Sequence, residues 1–247
     1  MTNEVKKYRF FNPWVPQKYR KGINGKKILV LGASYYCNKI TCPYFQDCTN
    51  VDKKDSSFFD ALCPQYTTAN KFLHDEPTYT TGETPAYTRF ARLLMPFIES
   101  DENIWDYLAF TNYVQFFVPC NKDVDGNLRY GKTLPSYLSE RDFLAFIETL
   151  QELKPDIVIS WGTTTLSRIR EDNLSRIRED NKKYVSKQDL DDCYNKTEGY
   201  YCRMNIPKVE HPIFLFNCYH PSSPDWYSCF DDAAKYMKEL LNLNSAT

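Results

Sequence analysis

The most constraining feature of this chain is the run Ile28-Leu29-Val30-Leu31, apolar at every position and bounded by Gly25 and Gly32. A strand that faces solvent on one side alternates apolar and polar residues; one that does not alternate must be buried on both faces, in the middle of a sheet covered by helices. Three further runs have the same character: Tyr107 to Phe117 around LAFTNYVQFF, Ile157 to Trp161 behind Lys154-Pro155-Asp156, and Ile213 to Tyr219. Helical spacing falls between and after them. Phe143, Phe146, Ile147, Leu150 and Leu153 recur at three- and four-residue steps behind Ser139, with Asp142 three residues on, the pattern of a Ser-x-x-acid cap. Phe230, Ala233, Ala234, Met237, Leu240 and Leu241 keep that spacing near the C-terminus, and Tyr87 to Ile98 keeps a weaker version. Strands separated by helices need crossover connections, so the expectation is an α/β chain: a three-layer α/β/α sandwich around a mainly parallel, four-stranded sheet.

Composition narrows the class. At 247 residues and 42% apolar content the chain can bury roughly three-quarters of its unfolded surface, and a single domain over 1–247 is expected. No apolar run approaches the ~18 residues that cross a bilayer. The N-terminal MTNEVKKYRFFNPWVP lacks an apolar segment of about 7 to 15 residues ahead of a cleavage site, which points to a cytoplasmic protein. Thirty-one basic against thirty-two acidic side chains provide no overall positive field, so contact with DNA would be local. Nine cysteines in a reducing compartment read as metal ligands or buried thiols before disulfides. Cys37, Cys42, Cys48 and Cys63 lie within one short excursion, a donor set suited to a zinc or iron–sulfur site; buried structural thiols are the alternative.

Polar stretches at Asn121 to Tyr137 and Lys182 to Asn205 read as surface excursions. The octapeptide LSRIREDN stands twice in tandem, at Leu166 to Asn173 and Leu174 to Asn181. Eight residues advance a helix by about 80° beyond two turns, so the copies cannot present one face, and an inserted, exposed helix or loop is expected.

In an open parallel sheet, ligands bind beyond the carboxyl ends of the strands. The residues there are Gly32-Ala33-Ser34-Tyr35-Tyr36, Thr111-Asn112-Tyr113-Val114-Gln115, Trp161-Gly162-Thr163-Thr164 and His220-Pro221-Ser222-Ser223-Pro224. With Gly32 opening the first loop, Thr111-Asn112 on the second strand, Pro155-Asp156-Ile157-Val158 leading to Gly162, and His220-Pro221-Ser222 after the last strand, the chain resembles the uracil-DNA glycosylase superfamily. Its motif spacing is most similar to the iron–sulfur-containing family 4 branch, over about Lys26 to Met237.

That resemblance implies a protein that extrudes a base from DNA and hydrolyses its N-glycosidic bond. Asn112 would read the base, since a carboxamide donates and accepts at once. Gly32, Tyr36 and Phe45 would line the base site, with Tyr44 a further candidate for stacking. His220 would donate to the base oxygen as the bond breaks, and Ser222 would bind a phosphate. The first loop departs from the family by offering Ala33 and Ser34 where active branches often carry an acid or amide. Ser34 is the catalytic candidate there; Asp47 and Glu83 are substitutes that no spacing selects. The alternative is a catalytically degenerate module of the same fold that binds nucleic acid or a nucleotide. A third is an interaction protein organised by metal at the cysteines.

Overall fold

A computed structural model of the chain describes residues 8–9, 11–37, 85–115, 117–119, 121–122, 128–129, 140–162, 165–170, 184, 187–195 and 200–243, with the backbone alone at 36–37, 85, 117–119, 121–122, 128–129, 140, 187–188, 190 and 194. Its centre is a five-stranded, mostly parallel sheet. The strands are β1 (Ile28–Gly32), β2 (Leu108–Asn112), β3 (Ile157–Trp161), β4 (Tyr201–Met204) and β5 (Ile213–Cys218). They lie in the order β2-β1-β3-β5-β4, with β4 alone antiparallel. All five residues of β1, β2 and β3 are buried, as unbroken apolar runs require.

The chain enters β1 through a tight turn. Ile23 and Lys26 exchange backbone hydrogen bonds of 2.9 Å around Asn24 and Gly25, both at positive φ. This is the Asn-Gly turn favoured where two central residues must be left-handed. The free edge of β2 is covered: Trp14 N donates to the Phe110 carbonyl at 2.8 Å, and Phe110 N returns a bond of 3.0 Å. An edge closed in this way offers no template for a further strand.

Helices lie against both faces. On one, Leu29, Leu31, Ala109, Val158 and Leu215 pack with Phe143, Phe146 and Leu150 of α2 (Glu140–Leu153) and Cys193 of α3 (Lys187–Asn195). On the other, Val30, Phe110, Ile159, Trp161 and Phe216 pack with Phe90 and Leu94 of α1 (Pro85–Leu94) and Met237 and Leu241 of α5 (Phe230–Asn242). A short helix, α4 (Asp225–Ser228), leads into α5.

Four points differ from the sequence expectation. The sheet has a fifth strand, because Lys182 to Asn205 is not all surface: it contains α3 and β4. In β4 only Cys202 and Met204 are buried, while Arg203 is exposed. Four residues of weak alternation carry little signal, and the strand is set by its bonding to β5. The Tyr107 to Phe117 run supplies a strand only to Asn112, after which Tyr113 N bonds back to the Gly32 carbonyl at 2.9 Å. The Tyr87 to Ile98 helix runs instead over Pro85–Leu94, followed by a 3-10 turn at Met95–Phe97, since Pro96 has no N–H to continue an α-helix. Finally, the first LSRIREDN copy is not exposed throughout. Residues 165–170 are helical and bury Leu166 and Ile169; the second copy lies outside the described residues. Apart from these differences, the Ser139 cap lies outside the described residues, and Asp142 accepts from Gln115 N at 2.8 Å.

Asn121–Lys122 and Leu128–Arg129 form a small antiparallel pair within the first polar excursion.

Candidate functional site

The carboxyl ends of the parallel strands form one row. Gly32 pairs with Asn112, Leu31 with Ser160, and Trp161 with Cys218. Neighbours on a rung of a parallel sheet point to the same side. Phe110, Trp161 and Cys218 belong to the core beneath α1 and α5, so Asn112, two residues beyond Phe110, points to that face as well. His220 follows Cys218 by two residues. The backbone positions of Asn112 and Cys218 stand three strand spacings apart, roughly 14 Å.

The order β2-β1-β3 reverses direction at β1, because the chain passes from β1 to β2 on one side and then to β3 on the other. In α/β sheets a crevice opens at such a switch point. Gly32 and Ser34 stand at this one, beside Trp161 and Gly162.

Asn112 is 5% exposed and leans over Gly32. A Cβ on Gly32 would collide with Asn112 Oδ1 and come within 3.1 Å of the Phe110 ring. Gly32 is therefore needed for close approach of the carboxamide, not for its backbone angles. The carboxamide also hydrogen-bonds the Tyr35 hydroxyl. Burial raises the Tyr35 pKa and the nearby Tyr87 raises it further; the Asn112 bond acts in the other direction, as a donor to the phenolic oxygen does. The Asn112 carbonyl accepts from Gln115 Nε2 at 3.0 Å.

His220 packs edge-on against Trp161, with ring centroids 5.7 Å apart. Its Nδ1 accepts from Ser222 N at 3.1 Å. An acceptor at Nδ1 leaves the proton of a neutral ring on Nε2, so Nε2 is the donor. Burial pushes the His220 pKa below its ordinary 6.5, which keeps the ring neutral at pH 7. The loop is fastened by α1: Arg89 Nη1 donates to the Pro221 carbonyl at 3.2 Å and lies 5.7 Å over the Tyr227 ring.

Aromatic side chains pack beside His220. Trp161 meets Tyr87 at 5.3 Å, and Tyr87, whose hydroxyl burial pushes up to about 12, faces Tyr35 electrostatically. Ring contacts thus run from Tyr87 through Trp161 to His220, and Tyr87 also meets the Phe110 ring at 5.6 Å. Sequence reading missed Tyr87 and Arg89 as parts of this arrangement, since they sit on a helix remote from every strand end in sequence. It placed Gln115 in the row of strand-end residues without assigning it a role.

Ser34 Oγ is buried and has no hydrogen-bond partner among the described residues, and Ser222 is exposed. The structure describes only the backbone of Tyr36, in a short strand Tyr35–Cys37 paired with Phe117–Pro119. Phe45, Tyr44, Asp47, Glu83, Cys42, Cys48 and Cys63 lie outside the described residues, as does the Cys37 side chain. Among the described residues no group of three or more His, Cys, Asp or Glu could hold a metal, and no helix is long and apolar enough to cross a membrane. The described cysteines Cys193, Cys202, Cys218 and Cys229 are free thiols. No protein-family model matches the chain, and no curated protein matches it.

Proposed function

We propose that this is a uracil-DNA glycosylase-like protein, an α/β/α sandwich that binds a base flipped out of DNA and hydrolyses its N-glycosidic bond. The observation that carries the reading is the shared face: a buried carboxamide and a neutral imidazole with its proton on Nε2 stand at the same end and on the same side of one parallel sheet. Asn112 presents the donor and acceptor needed for a pyrimidine edge. Its surroundings are aromatic and uncharged, which suits a flat, neutral ring.

Glycosidic cleavage leaves negative charge on the base and positive charge on the sugar. A preorganised donor to the base oxygen is worth about 2.7 to 4 kcal/mol, and His220 Nε2 is that donor. Water must then add to the sugar. A buried hydroxyl without a partner costs about 1–3 kcal/mol, and a bound water would relieve Ser34 Oγ. Ser34 holds the water in this reading, without the proton acceptance that a carboxylate would add. Ser222, exposed beside His220, contacts a phosphate.

The test is abasic-site formation on oligonucleotides carrying uracil, hypoxanthine or a mismatch. Wild type is expected to release uracil from its strand and His220→Ala to release it about 10²- to 10³-fold more slowly. Equal rates for wild type, His220→Ala and Asn112→Ala would end the catalytic reading. The absence of a carboxylate at Ala33-Ser34 favours a second reading: a binding module of this fold that has lost catalysis. It expects nucleic-acid binding that weakens steeply with salt, with no abasic site formed at any base.

A further inference from the structure

The segment ahead of the sheet is fastened at both ends. At one end, Tyr8 N and Arg9 N both donate to Glu148 Oε2 at 3.2 Å, and Arg141 Nε donates to the Tyr8 carbonyl at 2.9 Å. The Arg9 side chain, 2% exposed, forms ion pairs with Glu148 and Glu152 of α2. At the other end, Trp14 bonds to the edge of β2. Phe11 lies between these attachments, 1% exposed in the core.

Phe11 reaches Asn112 by two routes. Its N–H donates to Gln115 Oε1 at 3.1 Å, and the Nε2 of the same side chain donates to the Asn112 carbonyl at 3.0 Å. Its ring stands edge-on to Tyr35 at 4.7 Å between centroids, and Tyr35 holds the Asn112 carboxamide. Gln115 is itself fixed by the Asp142 carboxylate on its backbone N–H. An amide in this position is specific: a glutamate would lose the donor toward Asn112, and a methionine would leave both Phe11 N and the Asn112 carbonyl without this partner.

We infer that the N-terminal strap is part of the site, and that Phe11, Gln115 and Tyr35 are positioning residues: Gln115 holds the Asn112 main chain, Tyr35 holds its carboxamide, and Phe11 touches both. The functional meaning of this rests on the nucleobase reading above; the positioning itself does not. Packing alone would need only an apolar side chain at 115 and a phenyl ring at 35. Gln115 on the Asn112 main-chain carbonyl and Tyr35 on its side-chain amide hold the residue at both ends. Detachment of the strap from α2 would loosen Asn112 without altering any residue that touches a ligand.

The experiment follows the side-chain amide protons of Asn112 by NMR in the full-length protein, assigned by their loss in Asn112→Asp. Tyr35→Phe removes one hydroxyl and is expected to keep the melting temperature near wild type, to speed amide exchange at Asn112 about tenfold, and to shift its resonances. Arg9→Met and Gln115→Met are expected to speed exchange at Asn112 as well, with a lowered melting temperature because each removes a buried partner. Binding of an oligonucleotide with a single uracil should weaken about tenfold in Tyr35→Phe. Unchanged Asn112 exchange and shifts in both Tyr35→Phe and Arg9→Met would overturn the inference. If Asn112 responds but wild type does not distinguish uracil from thymine strands, the positioning stands and the nucleobase reading fails.

Discussion

The two ends of the sheet solve the same problem in opposite ways. At the amino ends of the strands the polar groups are charged and pair in solvent. Lys18 Nζ lies 2.9 Å from Glu102 and 3.6 Å from Asp106, Lys21 donates to the Tyr107 hydroxyl at 3.3 Å, and both lysines stand over the Tyr107 ring. Lys27 N is met by the Asp156 carboxylate at 2.8 Å, next to the start of β3. At the carboxyl ends the polar groups named above are neutral and mostly buried: Asn112, Gln115, Ser34 and His220. Exposed ion pairs close a surface and add little energy. Buried neutral donors and acceptors are costly unless partnered, so they persist where partners, including a ligand, are supplied.

The largest expected effect that would break this contrast is the rate loss in His220→Ala described above. Next is Gly32→Ala. Its methyl collides with Asn112 Oδ1, and the overpacking is expected to cost about 1–3 kcal/mol in a denaturant titration and to displace the carboxamide. Unaltered stability together with unaltered Asn112 amide resonances would show that the row is looser than its register implies.

A pH titration sharpens the comparison further. The native His220 pKa is lowered, so between 6.5 and that lower value the unfolded chain takes up a proton that the folded chain refuses. Its contribution to stability is therefore fully present above 6.5 and declines as pH falls through that window. His220→Gln should flatten this part of the profile. Tryptophan fluorescence, sensitive to the ring against Trp161, should titrate below 6.5 in wild type only; a midpoint above 6.5 would contradict a buried neutral ring. Arg89→Met removes the bond to Pro221 and should cost about 1 kcal/mol, read by thermal melting, with cleavage or binding lowered more than stability. The smallest effect belongs to the amino end: Lys18→Met should leave the melting temperature and nucleic-acid binding as they are, since Lys18 is paired in solvent. A loss of binding there would place the site at the wrong end of the sheet.

Much of the fold was legible because burial on both faces leaves an unbroken apolar run. β1, β3 and β5 stand where Ile28, Ile157 and Ile213 begin theirs, and α2 and α5 follow the three- and four-residue spacing of Phe143 to Leu153 and Phe230 to Leu241. β4 was not legible. Its Tyr-Cys-Arg-Met alternation is too short to distinguish from a polar loop, and pairing with β5 decides it. Pro96 was visible in the sequence, yet the early end of α1 depends on the 3-10 turn that follows.

For the site, the residues after each strand named Gly32, Ser34, Asn112 and His220 in advance, because parallel strands bring their carboxyl ends to one edge whatever lies between them. The order of the strands across the sheet, and hence the distance between Asn112 and His220, is not encoded in any local pattern. Nor is the role of Phe11 and Gln115, more than a hundred residues apart and joined by one hydrogen bond. Local sequence determines which segments become strands and which atoms can donate or accept. Which of them meet is decided by long-range packing, where the energy comes from burying faces that no short window of sequence contains.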